Sequence, residues 1–228
     1  MRLIIFDVDG TLTDTVAVDA RCFLQTFDEV CGFKDVDPDW SVYADATDAG
    51  IYREIFTTRI GRAPTAAETE QFRRHLVGLF RAAAQERPFA PVPGAPQLLD
   101  RLGQSPNFQI ALATGCWAEP ARVKMTAAGM NYDDYPSASA DDAPERESII
   151  KLALARAIRL KDDKFSAAIY VGDGVWDARA CRKVGIPFLG IAAGAQREML
   201  IAVGATHVLR NFSAPERFFA TIEQIVAS

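Results

Sequence analysis

Two aspartates one residue apart, Asp7 and Asp9, follow directly on the apolar run Ile4-Ile5-Phe6 and precede Gly10-Thr11. An apolar run that gives way at once to carboxylates and a glycine reads as a buried strand ending in polar chemistry. Side chains alternate along extended backbone, so Asp7 and Asp9 share one side while Val8 faces the other. Carboxylates crowded into one small space repel unless a cation or a shared proton relieves them, and the pair therefore predicts a divalent metal or proton transfer. Asp173 and Asp177 stand four apart in Gly172-Asp173-Gly174-Val175-Trp176-Asp177, a spacing that shares a helix face or wraps one loop. Together the four carboxylates make an oxygen-rich set suited to Mg²⁺. A calcium hand does not fit, because Leu12 and Val18 stand where its glycine and bidentate glutamate belong when Asp7 is position one. Nor is Gly172-x-Gly174 a dinucleotide fingerprint, since Asp177 occupies the third glycine position.

These carboxylates need strands to hold them, and the chain supplies candidates. Phe108 to Ala113 is an apolar run that closes on Thr114-Gly115, and Ala167 to Val171 closes on the Gly172-Asp173 segment. Shorter runs at Tyr135 to Ala138, Phe188 to Ala192 and His207 to Leu209 complete the strand set. Helical spacing marks residues 95–102, 118–128 and the stretch around Ile149 to Ile158. Strand and helix in alternation, with continuous apolar strands, argue for an α/β fold whose parallel sheet is covered on both faces. Ligands bind such sheets at the carboxyl ends of the strands, where Asp7, Asp9, Thr114 and Asp173 all fall.

Residues 15–87 show helices and no convincing strand. Thr65 to Glu68 has the spacing of a capping box, and Phe72, Leu76, Leu79 and Phe80 line one helix face behind it. The Pro- and Gly-rich stretch from Pro88 to Gly94 then ends the helical block.

Composition narrows the function classes. A net charge of −5 with interspersed acids and bases leaves no footprint for nucleic acid or an anionic membrane, and no apolar run is long enough to span a bilayer. An aspartate at position 7 comes too early for a signal-peptide apolar region, so a cytoplasmic location is expected. Cys22, Cys31, Cys116 and Cys181 lack zinc-site or disulfide-scaffold spacing, and His75 and His207 are the only histidines.

The motifs resemble those of the haloacid dehalogenase superfamily. Asp7-x-Asp9-Gly10-Thr11-Leu12-x-Asp14 is similar to its first motif, Ala113-Thr114-Gly115 to its second and Gly172-Asp173-x-x-x-Asp177 to its fourth. Pro93-Gly94 ahead of a leucine-rich helix, with Val184-Gly185-Ile186-Pro187, resembles its phosphoglycolate-phosphatase-like and β-phosphoglucomutase-like members. The resemblance implies a Rossmann-like three-layer core from residues 1–14 and 88–228, with residues 15–87 inserted as a helical cap. It implies a Mg²⁺-dependent phosphatase for a small phosphorylated metabolite, phosphoglycolate-like or a sugar phosphate, acting as a monomer or homodimer. Asp7 is then the nucleophile that forms an aspartyl-phosphate, and Asp9 the acid and base. Mg²⁺ is held by Asp7, Asp9 and Asp173 with Asp177 in support, while Thr114 and Gly115 bind the phosphoryl group. The family lysine is missing from its usual place, and Arg146 stands there instead, with Lys124 and Lys151 as alternatives. A β-phosphoglucomutase-like phosphotransferase uses the same residues, and a catalytically weak binding protein on this fold is the remaining alternative. Arg53, Arg59 or Arg62 in the cap could meet a second anion on a substrate, although each by itself reads as a solvated helix charge.

Overall fold

Six apolar runs become the strands of one sheet in the computed structural model of the chain, which describes residues 1–161 and 165–227. The strands are β1 (Arg2–Phe6), β2 (Phe108–Ala113), β3 (Ser137–Ala138), β4 (Ala167–Gly172), β5 (Phe188–Ile191) and β6 (His207–Leu209). Every neighbouring pair is parallel and the order is β3-β2-β1-β4-β5-β6. Strand β1 is therefore central, with Ile4 level with Ile110 on one side and Ile169 on the other.

Alternation along these strands divides the core in two. Ile4, Phe6, Ile110, Leu112, Ile169 and Val171 join one apolar cluster with Leu98, Met125 and Phe218, while Leu3, Ile5, Ala111, Ala113 and Tyr170 join another with Ile150 and Ala153. The first face is covered by α4 (Ala95–Gly103), α5 (Ala118–Ala127) and α9 (Pro215–Ala227), and the second by α6 (Arg146–Lys161), α7 (Val175–Val184) and α8 (Gly194–Ala202). This is the three-layer α/β architecture that continuous apolar strands predict, since both faces of a parallel sheet need covering. Sequence order reverses between β1 and β4, and an open sheet has its ligand crevice at that reversal, outside the carboxyl ends of the strands.

Between β1 and α4 the chain is helical: α1 (Val16–Thr26), which runs into a π turn at Phe27–Cys31, then α2 (Asp48–Ile60) and α3 (Ala66–Glu86). At the start of α3 the Thr65 hydroxyl accepts from the Glu68 N–H at 3.2 Å and the Glu68 carboxylate accepts from the Thr65 N–H at 2.7 Å, the capping box read from spacing. This segment has its own apolar cluster, built on Phe23, Phe27, Tyr52, Phe72 and Phe80. Trp117, from the turn after β2, belongs to the same cluster and lies within 6.1–6.5 Å of the Phe72, Tyr52 and Phe23 rings. Asp48 N–H donates to the Gly115 carbonyl, the Asp48 carboxylate accepts from Trp117 N–H, and the Thr47 hydroxyl donates to the Pro144 carbonyl. The helical segment is thus seated directly over the strand ends.

Candidate active site

At the end of β1 the Asp7 N–H donates to the Val171 carbonyl, which carries the β1–β4 ladder one residue past the strand. The chain then turns back, with the N–H groups of Leu12 and Thr13 both donating to the Val8 carbonyl and Gly10 at φ +70°. Glycine is required at position 10 twice over. L side chains rarely adopt that φ, and a Cβ there would overlap the Asp173 carboxylate. Gly115 makes a second close approach, since a Cβ there would stand 2.8 Å from Arg146 Nη2 and 3.0 Å from the Ala46 carbonyl. Asp173 follows β4 directly, and Asp177 lies in the first turn of α7, where its Oδ2 accepts from Gly174 N–H at 3.1 Å.

Oxygens of Asp7, Asp173 and Asp177 come within 4.8 Å of one another. Burial, and then the charge of Asp177, push the Asp7 carboxyl up to about 8 against the opposing pull of Arg146. Burial likewise pushes Asp173 well above the usual carboxylate range, and Asp177 above it. Such a set, all oxygen and short of positive charge, fits a hard divalent cation. Among the described residues the one cation touching it is Arg146 at the start of α6, with Nη1 3.2 Å from Asp7 and Nε 3.3 Å from Asp177. Arg146 is only 7% exposed, and its Nε lacks a hydrogen bond of good geometry. Of the three cations named from sequence, Arg146 is the one placed against Asp7, whereas Lys151 is exposed on α6.

Lys124 serves the other aspartate. Its Nζ, fully buried, lies 2.7 Å from Asp9, 2.6 Å from Asp19 and 2.9 Å from Cys116 Sγ, at the centre of a second group formed by those three residues. The ammonium thus stands where a metal would sit in that group. Asp9 also accepts from the Thr15 hydroxyl at 2.5 Å and from the Cys116 thiol at 2.8 Å. Burial pushes Asp9 upward, but Lys124 and these hydrogen bonds prevail and hold it below its ordinary value. Asp19 and Asp48 are pushed up, chiefly by burial, and burial also raises the Cys116 thiol, so of the carboxylates around Lys124 it is Asp9 that is held lowest. Strand β1 ends at Phe6, so Asp7 and Asp9 lie past it; both line one cavity, yet their carboxylates have different partners.

That cavity holds about 320 Å³ and is also lined by Thr114, Gly115, Arg146 and Asp173. The Thr114 hydroxyl, nearly fully buried, accepts from Cys116 N–H at 3.2 Å and keeps its own proton to donate. Three arginines expected near a second anion lie elsewhere: Arg59 pairs with Asp35 and Arg62 with Glu68, both on the surface, and exposed Arg53 is not among the lining residues. Lys124, Asp19 and Cys116 are the grouping that the motifs do not announce. Their signal is a charge on an apolar stripe: Lys124 falls among Ala121, Met125 and Ala128, and Asp19 between Val16 and Phe23.

Comparison with known proteins follows the same lines. The family model for haloacid dehalogenase-like hydrolases matches residues 1–185. No curated protein matches the chain in sequence. Among solved structures, a hydrolase from Pseudomonas syringae is similar at 18% identity and TM-score 0.76, covering 97% of this chain and 99% of that one. A putative beta-phosphoglucomutase from Bacteroides vulgatus is similar at 14% identity and TM-score 0.71, over 100% and 91%. A mutant of CbbY from Rhodobacter sphaeroides in complex with xylulose-(1,5)bisphosphate is similar at 23% identity and TM-score 0.64, over 93% and 95%. At these identities the structures share the fold.

Proposed function

Because the chain belongs to the haloacid dehalogenase-like hydrolases, we propose that it is a Mg²⁺-dependent phosphatase that hydrolyses a small phosphomonoester through an aspartyl-phosphate on Asp7. The observation that carries this reading is the meeting of Asp7, Asp173, Asp177 and Arg146 at the carboxyl ends of β1 and β4, open to a cavity. In this reading residues 1–14 and 88–228 are the catalytic core, residues 15–87 the cap, and the enzyme works in the cytoplasm. Among the described residues no helix is long and apolar enough to cross a membrane.

Asp7, the Asp9 carbonyl and Asp173 would hold Mg²⁺, with Asp177 in support. The ion, when bound, screens the nucleophile from the phosphate and stabilises charge in transfer. An Asp7 oxygen attacks phosphorus and the bond to the leaving alcohol breaks, which splits one difficult displacement into two. Thr114 and Arg146 hold phosphoryl oxygens, and a guanidinium suits that task because its N–H groups form a fixed fork. Asp9 gives a proton to the departing oxygen and takes one from the water that releases phosphate from Asp7. Lys124, 2.7 Å away, keeps its own proton and holds Asp9 ionised at rest, so Asp9 takes up that first proton as the substrate binds.

Hydrolysis of p-nitrophenyl phosphate, with and without Mg²⁺, beside Asp7→Asn, tests the reading. Metal-dependent turnover that falls by about 10⁴-fold or more in the variant is expected. Turnover equal in the variant, or none from the folded wild type across a broad panel of esters, overturns it.

A further inference from the structure

Two kinds of side chain line the cavity. Asp7, Asp173 and Arg146 are the group at which the phosphate goes if the proposed phosphatase reading holds. Beside them the cavity is lined by Val16 and Phe23 of α1, Trp40, Ile51 of α2, Trp176 of α7 and Met199 of α8. All six side chains are apolar or aromatic. Val16 and Met199, which line the cavity, are 48% and 49% exposed.

Charge in the same wall has one sign. Arg146 is the only lysine, arginine or histidine among the lining residues, and Asp7 and Asp177 already engage it. Lys124 is fully buried beneath Asp9 and does not line the cavity. The carboxylates of the wall have partners of their own: Asp19 pairs with Lys124, Asp48 accepts from Trp117 N–H, and Asp39 accepts from Ser41 N–H and hydroxyl. A second phosphate or carboxylate on the substrate would meet aspartates and no cation, a like-charge placement that works against binding.

We infer that the alcohol half of the substrate is uncharged and largely apolar: the phosphate ester of a short alkyl or arylalkyl alcohol, rather than a bisphosphate or a phosphorylated carboxylic acid. This rests on the phosphatase reading for the position of the phosphate. A cavity of 320 Å³, about ten waters' worth of liquid volume, accommodates a phosphate and an alcohol of that size.

Three primary esters of similar intrinsic reactivity separate the classes: 4-phenylbutyl phosphate, 5-carboxypentyl phosphate and 5-aminopentyl phosphate. Their kcat/KM values are measured on the Mg²⁺-loaded protein, and calorimetry gives the affinities of the matching phosphonates for Asp7→Asn, where no turnover is needed. The phenylbutyl compound is expected to lead both others by at least about tenfold in both measurements. Met199→Arg, which adds a cation to the wall, is expected to shrink its lead over the carboxypentyl ester. Parity, or a lead by the carboxyl or amino compound in either measurement, overturns the inference. Ordered phosphonate binding without hydrolysis of any ester sinks the phosphatase reading and leaves the apolar preference standing. Hydrolysis without that order does the reverse, and neither binding nor hydrolysis overturns both.

Discussion

Protons and Mg²⁺ compete for one set of oxygens, and the competition can be sized. Without a cation, burial and the charge of Asp177 hold the Asp7 carboxyl up at about 8. A metal must displace that proton, so the apparent Mg²⁺ affinity is weakened about 100-fold at pH 6 but only about twofold at pH 8. The expected gain between pH 6 and pH 8 is therefore about 50-fold, or about 2.3 kcal/mol at 1.36 kcal/mol per pKa unit. Asp173, pushed well above its ordinary value, steepens the change wherever its own proton must also leave. The sign carries over to stability. The metal-free folded protein keeps a proton on Asp7 that the unfolded chain loses above about pH 4, so it binds more protons than the unfolded state from about pH 4 to about pH 8. Asp7's contribution to metal-free stability accordingly falls as pH rises through that window, and saturating Mg²⁺ removes that contribution. Calorimetric Mg²⁺ titrations at pH 6, 7 and 8, in buffers of different ionisation enthalpy, give affinity and protons released together. An affinity constant within twofold from pH 6 to pH 8, or binding with no proton release at pH 6, refutes the reasoning.

Further perturbations separate the two cation pairs and the aromatic contact between the helical segment and the strand ends. Arg146→Ala strips the guanidinium from buried Asp7 and Asp177 and is expected to cost about 3–5 kcal/mol in denaturant unfolding of the metal-free protein. Arg146→Lys is expected to recover only part of that, because an ammonium lacks the fixed fork with which Nη1 and Nε face the two carboxylates; full recovery would deny that the fork matters. Lys124→Met leaves Asp9 and Asp19 buried without their cation, again at about 3–5 kcal/mol near neutral pH. That loss should shrink toward pH 5, since the stranded carboxyls can then protonate, and a pH-independent loss would assign Lys124 a packing role alone. Trp117→Ala removes a ring packed on Phe23, Tyr52 and Phe72, and about 3–5 kcal/mol of lost stability is expected by thermal or urea unfolding.

What the residues disclose by themselves depends on the range of the interaction that fixes them. Strand β4 is legible because five consecutive residues from Ala167 to Val171 need an apolar environment whatever else the chain does, and the shorter β5 and β6 follow by the same rule. Helix α9 carries its signal at Phe218, Ile222 and Ile225, yet a reading anchored on strand ends passes over it. Asp7, Thr114 and Asp173 can be brought together from sequence because a parallel sheet puts all its carboxyl ends at one edge. The same topology cannot say which cation meets which carboxylate. Arg146 and Lys124 are both buried, both paired and both adjacent to an aspartate of the first motif. The choice between them is made by α5 packing against the helical segment, where Lys124 meets Asp19 from 105 residues away in the chain. Motif spacing therefore locates the carboxylates, while long-range packing assigns them: Asp7 faces an arginine beside two further acids, and Asp9 faces a lysine that fills the place a second metal would take.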